Sequence, residues 1–338
     1  MPRPLPLIRL LGTLAVLTLL CACQRPSEQD DPLHDAGTRA DAGLPGGDAG
    51  TAGDAGTSSL AFSAGNWNLE WFGSTADGPA DEQLQLDNAR KIISTAGADF
   101  WGLAELVDAT HFAALKQQLP GYDGFMASDP RIPSGSYYYS DSEQKVGILY
   151  RPDVVTVRDA KLILTSSNYD FGTRPPLRVD LRITRNGVSV DLVAIVLHMK
   201  ALSDVESYDR RQRAALALQD YLDTNLPDAR VLVLGDWNDD VDVSITRDPN
   251  VVNGYMPTPY RNFLDAPAEY SFLTRPLSLA GQRSTVNNTQ FIDHQLVSNE
   301  LLSNYVSGSA QRVMPGSDIP QYGTTTSDHY PVLSRFAF

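Results

Sequence analysis

The run VLVLGDWNDD at 231–240 constrains the fold more than any other stretch. Four apolar residues, Val231 to Leu234, read as a short buried strand. Gly235 ends the run and permits a tight turn. Asp236 and Asn238 follow two residues apart, and in extended geometry such positions share a side. A carboxylate and an amide oxygen then converge at the carboxyl end of a buried strand. That pairing suits a hard cation or a water held for attack. The alternative is a polar turn closing the strand, since Asp and Asn are common turn residues.

The same arrangement recurs along the chain. AFSAGNWNLE (61–70) reads as a first strand, with Asn66 and Asn68 on one face and Trp67 and Leu69 on the other. FWGLAEL (100–106) is a second, ending on Glu105, and a buried strand that ends on a carboxylate needs a partner for the charge. KVGILY (145–150), the valines at 154–157, LRVDLRI (177–183) and VSVDLVAIVLH (188–198) are strand-like, and Asn186-Gly187 marks a hairpin between the last two. His198 closes the longest of these. QFIDHQLV (290–297) and TTSDHYPVL (325–333) precede the end of the chain. Helical patterns occupy 80–97, about 108–119 and 205–226, while 129–144, with Tyr137, Tyr138 and Tyr139, reads as a loop able to cover a cleft. Strands mixed with helices and hairpins imply two sheets packed face to face with helices outside.

The N-terminus is organised differently. Residues 1–22 carry Arg3 and Arg9, then an apolar run from Leu10 to Ala22, too short for a comfortable membrane span. The segment ending LCAC (20–23) resembles a bacterial lipobox, which implies acylation of Cys23 and an exported, membrane-anchored lipoprotein. With Gln24 next, the resemblance points to the outer membrane if the cell is Gram-negative. A simply secreted protein and a single membrane anchor are the alternatives. Residues 23–57 are rich in Asp, Ala and Gly, with Asp-Ala-Gly starting at 35, 41, 48 and 54. Such a segment buries too little to offset ordering entropy, so it is expected to be a tether of roughly 30 Å. Residues 58–338 then form the folded domain.

Net charge is −14, which is not the basic footprint of a passive nucleic-acid binder. It leaves room for an enzyme that meets phosphates through a metal and a few local cations. Cys21 and Cys23 are the only cysteines, so the folded part has neither a disulfide framework nor a cysteine zinc site.

Taken in order, Trp67-Asn68, Glu105, His198, Gly235-Asp-Trp-Asn238, Asp293 and Ser327-Asp-His329 resemble the endonuclease/exonuclease/phosphatase superfamily, the fold of deoxyribonuclease I. The resemblance covers about residues 60–338 and implies a four-layer α/β sandwich. It implies that Asn68, Glu105 and Asp328 serve a divalent metal, Mg²⁺ or Mn²⁺, with Ca²⁺ a further candidate. Asp236 and Asn238 correspond to the pair that orients water and phosphate. His329 corresponds to the catalytic histidine, Asp293 to its orienting carboxylate, and His198 to a second histidine of the deoxyribonuclease I branch. Lys145 and Arg174 are weaker matches to phosphate contacts. The glutamate that partners the second histidine falls in register on Gln144, with Glu143 beside it: either a bulge brings Glu143 in, or that partner is absent.

The chemistry requires these residue types independently. A phosphodiester is anionic and resists water, so hydrolysis needs an oxygen-rich cation site, an orienting base, and histidines that carry protons near neutral pH. His34 and His111 are expected at the surface, and His294 is expected to be structural, pointing away from Asp293. Three functions follow: an exported metal-dependent nuclease acting on nucleic acid, a lipid-headgroup phosphodiesterase or phosphatase of the sphingomyelinase kind, and a surface binding module on an inactive scaffold. No obligate protein partner is implied.

Overall fold

The computed structural model describes residues 60–252 and 254–338. The leader, Cys23, the tether and His34 lie outside the described residues. Fourteen strands are present among those described: β1 (Ala61–Phe72), β2 (Phe100–Leu106), β3 (Asp123–Met126), β4 (Lys145–Tyr150), β5 (Val155–Leu162), β6 (Leu177–Arg185), β7 (Val188–His198), β8 (Val231–Asp236), β9 (Val243–Arg247), β10 (Tyr255–Pro257), β11 (Tyr270–Phe272), β12 (Asp293–Ser298), β13 (Gln311–Arg312) and β14 (Val332–Ala337). Four helices matter here: α1 (Glu82–Ala96), α2 (Ala109–Gln117), the single turn α3 (Gly135–Tyr138) and α4 (Val205–Asn225).

Two six-stranded sheets have the orders β13-β14-β1-β2-β4-β3 and β11-β12-β8-β7-β6-β5, with β9 and β10 as a separate pair. Each sheet contains one parallel pair, β1 with β2 and β7 with β8, and every other pairing is antiparallel. Parallel neighbours need a crossover. Helix α1 supplies one and α4 the other.

Each of the longer helices begins on an aspartate whose side chain accepts an orphan backbone N–H: Asp81 from Leu84, Asp108 from His111 and Asp204 from Ser207. Gly97, at φ 62°, closes α1. The apolar residues sort into three layers of packing. Phe62, Ala64, Phe100 and Ile148 of the first sheet meet Val179, Ala194, Val196 and Leu234 of the second. Helices α1 and α2 cover the outer face of the first sheet through Leu86, Ile93 and Leu115. Helix α4 covers the second sheet through Ala214, Leu218 and Leu222. The expected four-layer α/β sandwich is the observed one.

Gly102 faces the second sheet at close range, since a Cβ there would lie 3.0 Å from Leu234 Cγ. Gly235 corrects an expectation. It does not end β8 but stays in register opposite Leu197. Its φ of 147° and the 2.0 Å that would separate a Cβ from the Leu197 carbonyl oxygen leave no room for a side chain.

Candidate active site

The parallel pairs decide where the chemistry goes. In open α/β sheets, ligand sites form at the carboxyl ends of parallel strands. Here β1 and β2 end on Asn68, Glu70 and Glu105, and β7 and β8 end on His198 and Asp236. The antiparallel neighbours enter at the same edge. Asp293 starts β12 opposite Asp236, and the turn carrying Asp328 and His329 leads into β14 beside β1.

Asn68 joins the two sheets. Its Nδ2 donates to Glu105 Oε1 at 2.8 Å and to Asp236 Oδ2 at 3.0 Å. One residue pair earlier, Asn66 Nδ2 donates to the Gly235 carbonyl at 3.1 Å and Asn66 Oδ1 accepts from Gln295 at 2.9 Å. The alternation of β1 thus puts both asparagines on the inner face, as expected, while Trp67 and Leu69 pack outward. Trp67 is not only packing: its Nε1 donates to the His329 carbonyl at 3.0 Å, and Ser327 Oγ donates to the Asn68 carbonyl at 2.7 Å. Those two bonds fix the histidine turn against β1.

Asp236 lies between two histidines. His198 Nε2 is 3.5 Å and His329 Nε2 3.8 Å from its Oδ2, and His198 Nε2 is 3.7 Å from Glu105 Oε1. These gaps exceed hydrogen-bond length. The facing atoms therefore converge on a common space without satisfying one another. The two histidines differ sharply. His329 Nδ1 pairs with Asp293 Oδ2 at 2.8 Å. Burial works against its charge, but Asp293, Asp236 and Asp328 outweigh burial and hold its pKa well above the usual value. His198 is buried, its Nδ1 has no partner among the described residues, and burial, Arg174 and His329 hold its pKa well below the usual value. The surroundings favour the imidazolium at His329 and the neutral ring at His198. Burial raises the Asp236 pKa to about 7, against the pull of His329.

A carboxylate that sequence reasoning missed completes the set. Glu70 Oε2 accepts the Asp328 backbone N–H at 2.8 Å. Burial first, then Asp328 and Glu105, raise its pKa to about 7. Glu105 is raised chiefly by burial. Backbone at φ 46° for Glu70, 52° for Trp71 and 59° for Glu105 bends both strand ends inward, and the β1–β2 register shifts between Asn68 and Phe72. Left-handed backbone at non-glycine residues is costly and gathers at functional sites. The alternation Asn66, Asn68, Glu70 was the available signal.

A model of the endonuclease/exonuclease/phosphatase family matches residues 65–329. The chain belongs to the endonuclease/exonuclease/phosphatase family. Among solved structures it is similar to a family member from Bacteroides vulgatus, with 15% identity, TM-score 0.57, and 81% of this chain and 98% of that one covered. It is similar to D. rerio TDP2 complexed with a single-strand DNA product, with 16% identity, TM-score 0.56, and 82% and 98% covered. It is also similar to the human Nocturnin catalytic domain with bound sulfate anion, with 15% identity, TM-score 0.51, and 82% and 94% covered. At such identities the likeness is one of fold. No curated protein matches the sequence.

Family enzymes hydrolyse phosphoesters and generally use divalent metals, and the donor set fits that role. One atom each from Glu105, His198 and Asp236 lie within 4.8 Å of one another, as do atoms from Asp236, Asp293 and His329. Glu70, Glu105 and Asp328 add carboxylates at the same edge, with His198 Nε2 3.7 Å from Glu105 and His329 Nε2 3.8 Å from Asp328, and oxygen-rich clusters of this kind suit hard cations.

Four expectations need correction. Asn238 does not reach the site by extended geometry. It adopts φ 54°, its N–H donates to Asp236 Oδ1 at 2.8 Å, and its Nδ2 donates to the Met199 carbonyl at 3.1 Å. Lys145 is no phosphate contact. Its buried Nζ donates to the carbonyls of Val107, Asp141 and Glu143 at 2.8, 3.0 and 3.0 Å, using all three hydrogens to close a loop. His111 is half-buried rather than free at the surface, and it packs on Phe72, ring centroids 4.6 Å apart. Within 129–144, Tyr139 is buried and its hydroxyl donates to the Pro175 carbonyl at 2.8 Å, leaving Tyr137 as the exposed member of its cluster.

Arg174 does stand at the site. Its Nε and Nη2 donate to the His198 and Met199 carbonyls at 3.3 and 2.7 Å, and Nη1 faces Gln144 Oε1 at 3.4 Å. Gln144 is thus turned to Arg174, and the carboxylates facing His198 are Glu105 and Asp236. His294 points to the opposite face from Asp293, where Nδ1 meets Thr274 Oγ1 at 2.8 Å, and burial drops its pKa to about 3.

Proposed function

We propose that this protein is a metal-dependent phosphodiesterase that cleaves nucleic acid, a nuclease. The observation that carries the reading is Asp236 set between a protonated and a neutral histidine at the edge of a carboxylate cluster. A diester presents one anionic phosphoryl group and one departing oxygen, and the two imidazoles meet those demands separately. His329, held charged by Asp293, stabilises the phosphoryl oxygens. His198 offers a neutral N–H that hydrogen-bonds rather than carries charge. Asp236, with Asn238 bonded to it, orients the attacking water. Glu70, Glu105 and Asp328 would hold a divalent cation, Mg²⁺ or Mn²⁺, which would neutralise charge on the substrate. The single-strand DNA product in the TDP2 complex supports nucleic acid as the substrate class.

The test is parallel digestion of plasmid DNA, RNA and sphingomyelin by the purified chain, with and without EDTA. Cleavage of a nucleic acid that stops with EDTA is expected. Turnover of sphingomyelin alone would replace the reading with lipid-headgroup hydrolysis, which the exposed Tyr137, 80% accessible, favours. We also propose export as a lipoprotein acylated at Cys23, resting on the lipobox resemblance. Cys23→Ser is expected to abolish palmitate labelling, and labelling that persists would overturn it.

A further inference from the structure

Beside the centre, on the His198 side, lies an exposed tyrosine that the reaction does not use. Tyr169 is 56% accessible, yet it is held at three points. Its hydroxyl donates to Glu206 Oε1 at 2.7 Å. The Arg210 guanidinium lies 3.9 Å from the ring centroid. The same guanidinium donates to the Tyr169 carbonyl, through Nε at 3.0 Å and through Nη2. Arg210 is buried beneath the ring. Fixing a large ring in water loses conformational freedom without hiding the surface that normally compensates for it. A ring braced by a guanidinium and still more than half accessible is a ready stacking platform.

The platform is physically continuous with the catalytic centre. Gly172 N–H donates to the Tyr169 carbonyl at 3.1 Å, and Thr173 N–H to the Asn168 carbonyl at 2.9 Å, so the loop folds compactly back to Arg174. Gly172, at φ 69°, leaves only 3.3 Å between a would-be Cβ and Lys200 Cα. The loop therefore rests on the segment that carries His198. Lys200 follows His198 by two residues and is half-buried. Its Nζ donates to the adjacent Ala201 carbonyl at 2.9 Å, which leaves two hydrogens for a ligand. Arg210, Arg174 and Arg211 all bear on this ammonium, opposed by Asp204. Those guanidiniums are engaged: Arg174 with the His198 and Met199 carbonyls, Arg210 with the Tyr169 carbonyl, and Arg211 with the Lys200 and Leu202 carbonyls and with Asp239. Glu206, Asp204 and Asp170 stand among these cations, so the corner is of mixed charge, and Lys200 is the ammonium there that keeps hydrogens for a ligand.

We propose that Tyr169 and Lys200 form a strand-holding subsite for a single-stranded polynucleotide, the ring stacking a nucleobase and the ammonium meeting a backbone phosphate next to the cleaved one. The proposal rests on the nuclease reading and deepens it, since it assigns a polymer rather than a small phosphoester.

The experiment measures steady-state kinetics of the full chain on a single-stranded oligonucleotide and on bis(p-nitrophenyl) phosphate, a diester with neither a nucleobase nor a second phosphate. Tyr169→Ala is expected to raise KM for the oligonucleotide about tenfold with kcat unchanged, the scale of one stacked base. Lys200→Gln is expected to raise the same KM and to make log KM less dependent on log salt by about 0.7, the share of one single-strand phosphate. Tyr169→Phe keeps the platform and is expected to keep the wild-type KM, which separates stacking from the loop-bracing role of the hydroxyl. Both substrates affected alike, or neither affected, would overturn the subsite while leaving the nuclease reading standing. A wild-type enzyme that turns over the small diester but no oligonucleotide would overturn both.

Discussion

His198 and His329 are the same residue type facing one carboxylate, and their surroundings favour different charge states, neutral for the first and cationic for the second. In the proposed reaction His329 works as a cation, so activity is expected to be lost as pH rises through its raised pKa. Asp293→Asn removes the partner at 2.8 Å and lets that pKa fall toward the ordinary value. The basic limb of the kcat/KM profile is expected to move to lower pH, with a rate loss on the order of 10²–10⁴. An unmoved limb would show that His329 is not the charged group. Glu70 and Asp236 give a second prediction. Their pKa values near 7 exceed the ordinary carboxyl values of 4.5 and 3.8, so in the metal-free protein folding favours the protonated forms. Their contribution to stability therefore falls as pH rises from those ordinary values through about 7. A cation binds only the ionised forms, so the gain in Tm on adding Mg²⁺ is expected to grow between about pH 5.5 and about pH 7.5 and then level off. A gain independent of pH would separate these carboxylates from the metal. Glu70 was hidden in the sequence because a charged residue at the end of an apolar run looks like the exit from a strand. The inward bend at φ 46° makes it part of the site.

At the scale of elements, the legible features were long ones. The strand ends carrying Asn68, Glu105, His198 and Asp236 announce themselves by apolar runs closing on polar residues, and the helices by their periodicity. The short strands β3, β9, β10, β11 and β13, with two to five residues each, do not, because their pairing is set by neighbours distant in sequence. Misreadings of single residues share that origin. Lys145 opens β4 and looks available, yet the turn at 141–144 folds its carbonyls around the ammonium. Lys145→Met leaves three carbonyls without a donor, and a loss of about 2–3 kcal/mol in stability is expected with the KM for substrate unchanged. A raised KM at unchanged stability would return Lys145 to the phosphate. Asn238 was placed correctly at the site by an incorrect route, since its turn, rather than strand alternation, brings it to Asp236.

At the scale of the molecule, the layered architecture follows from mixed strands and helices with apolar faces, and the family resemblance supplied the strand-end map that composition alone does not hold. What neither showed is how the layers are joined. Asn66 and Asn68 on one sheet reach Gly235, Gln295 and Asp236 on the other. Asn66→Leu cuts two of those links and leaves Gln295 short of an acceptor, at a cost of about 1–3 kcal/mol. Its denaturation, followed by circular dichroism, is expected to stay cooperative, while activity disappears at lower denaturant than in the wild type. Coincident loss of activity and ellipticity would show that Asn66 contributes only bulk stability. The wider meaning of this seam is mechanical. Asn68, Glu70 and Glu105 ride on one slab and His198, Asp236 and Asp293 on the other, so their alignment works as a vernier between two surfaces. A slip of one slab by a fraction of an ångström would leave the hydrogen bonds within each sheet intact, yet it would lengthen the bond from Asn68 to Asp236.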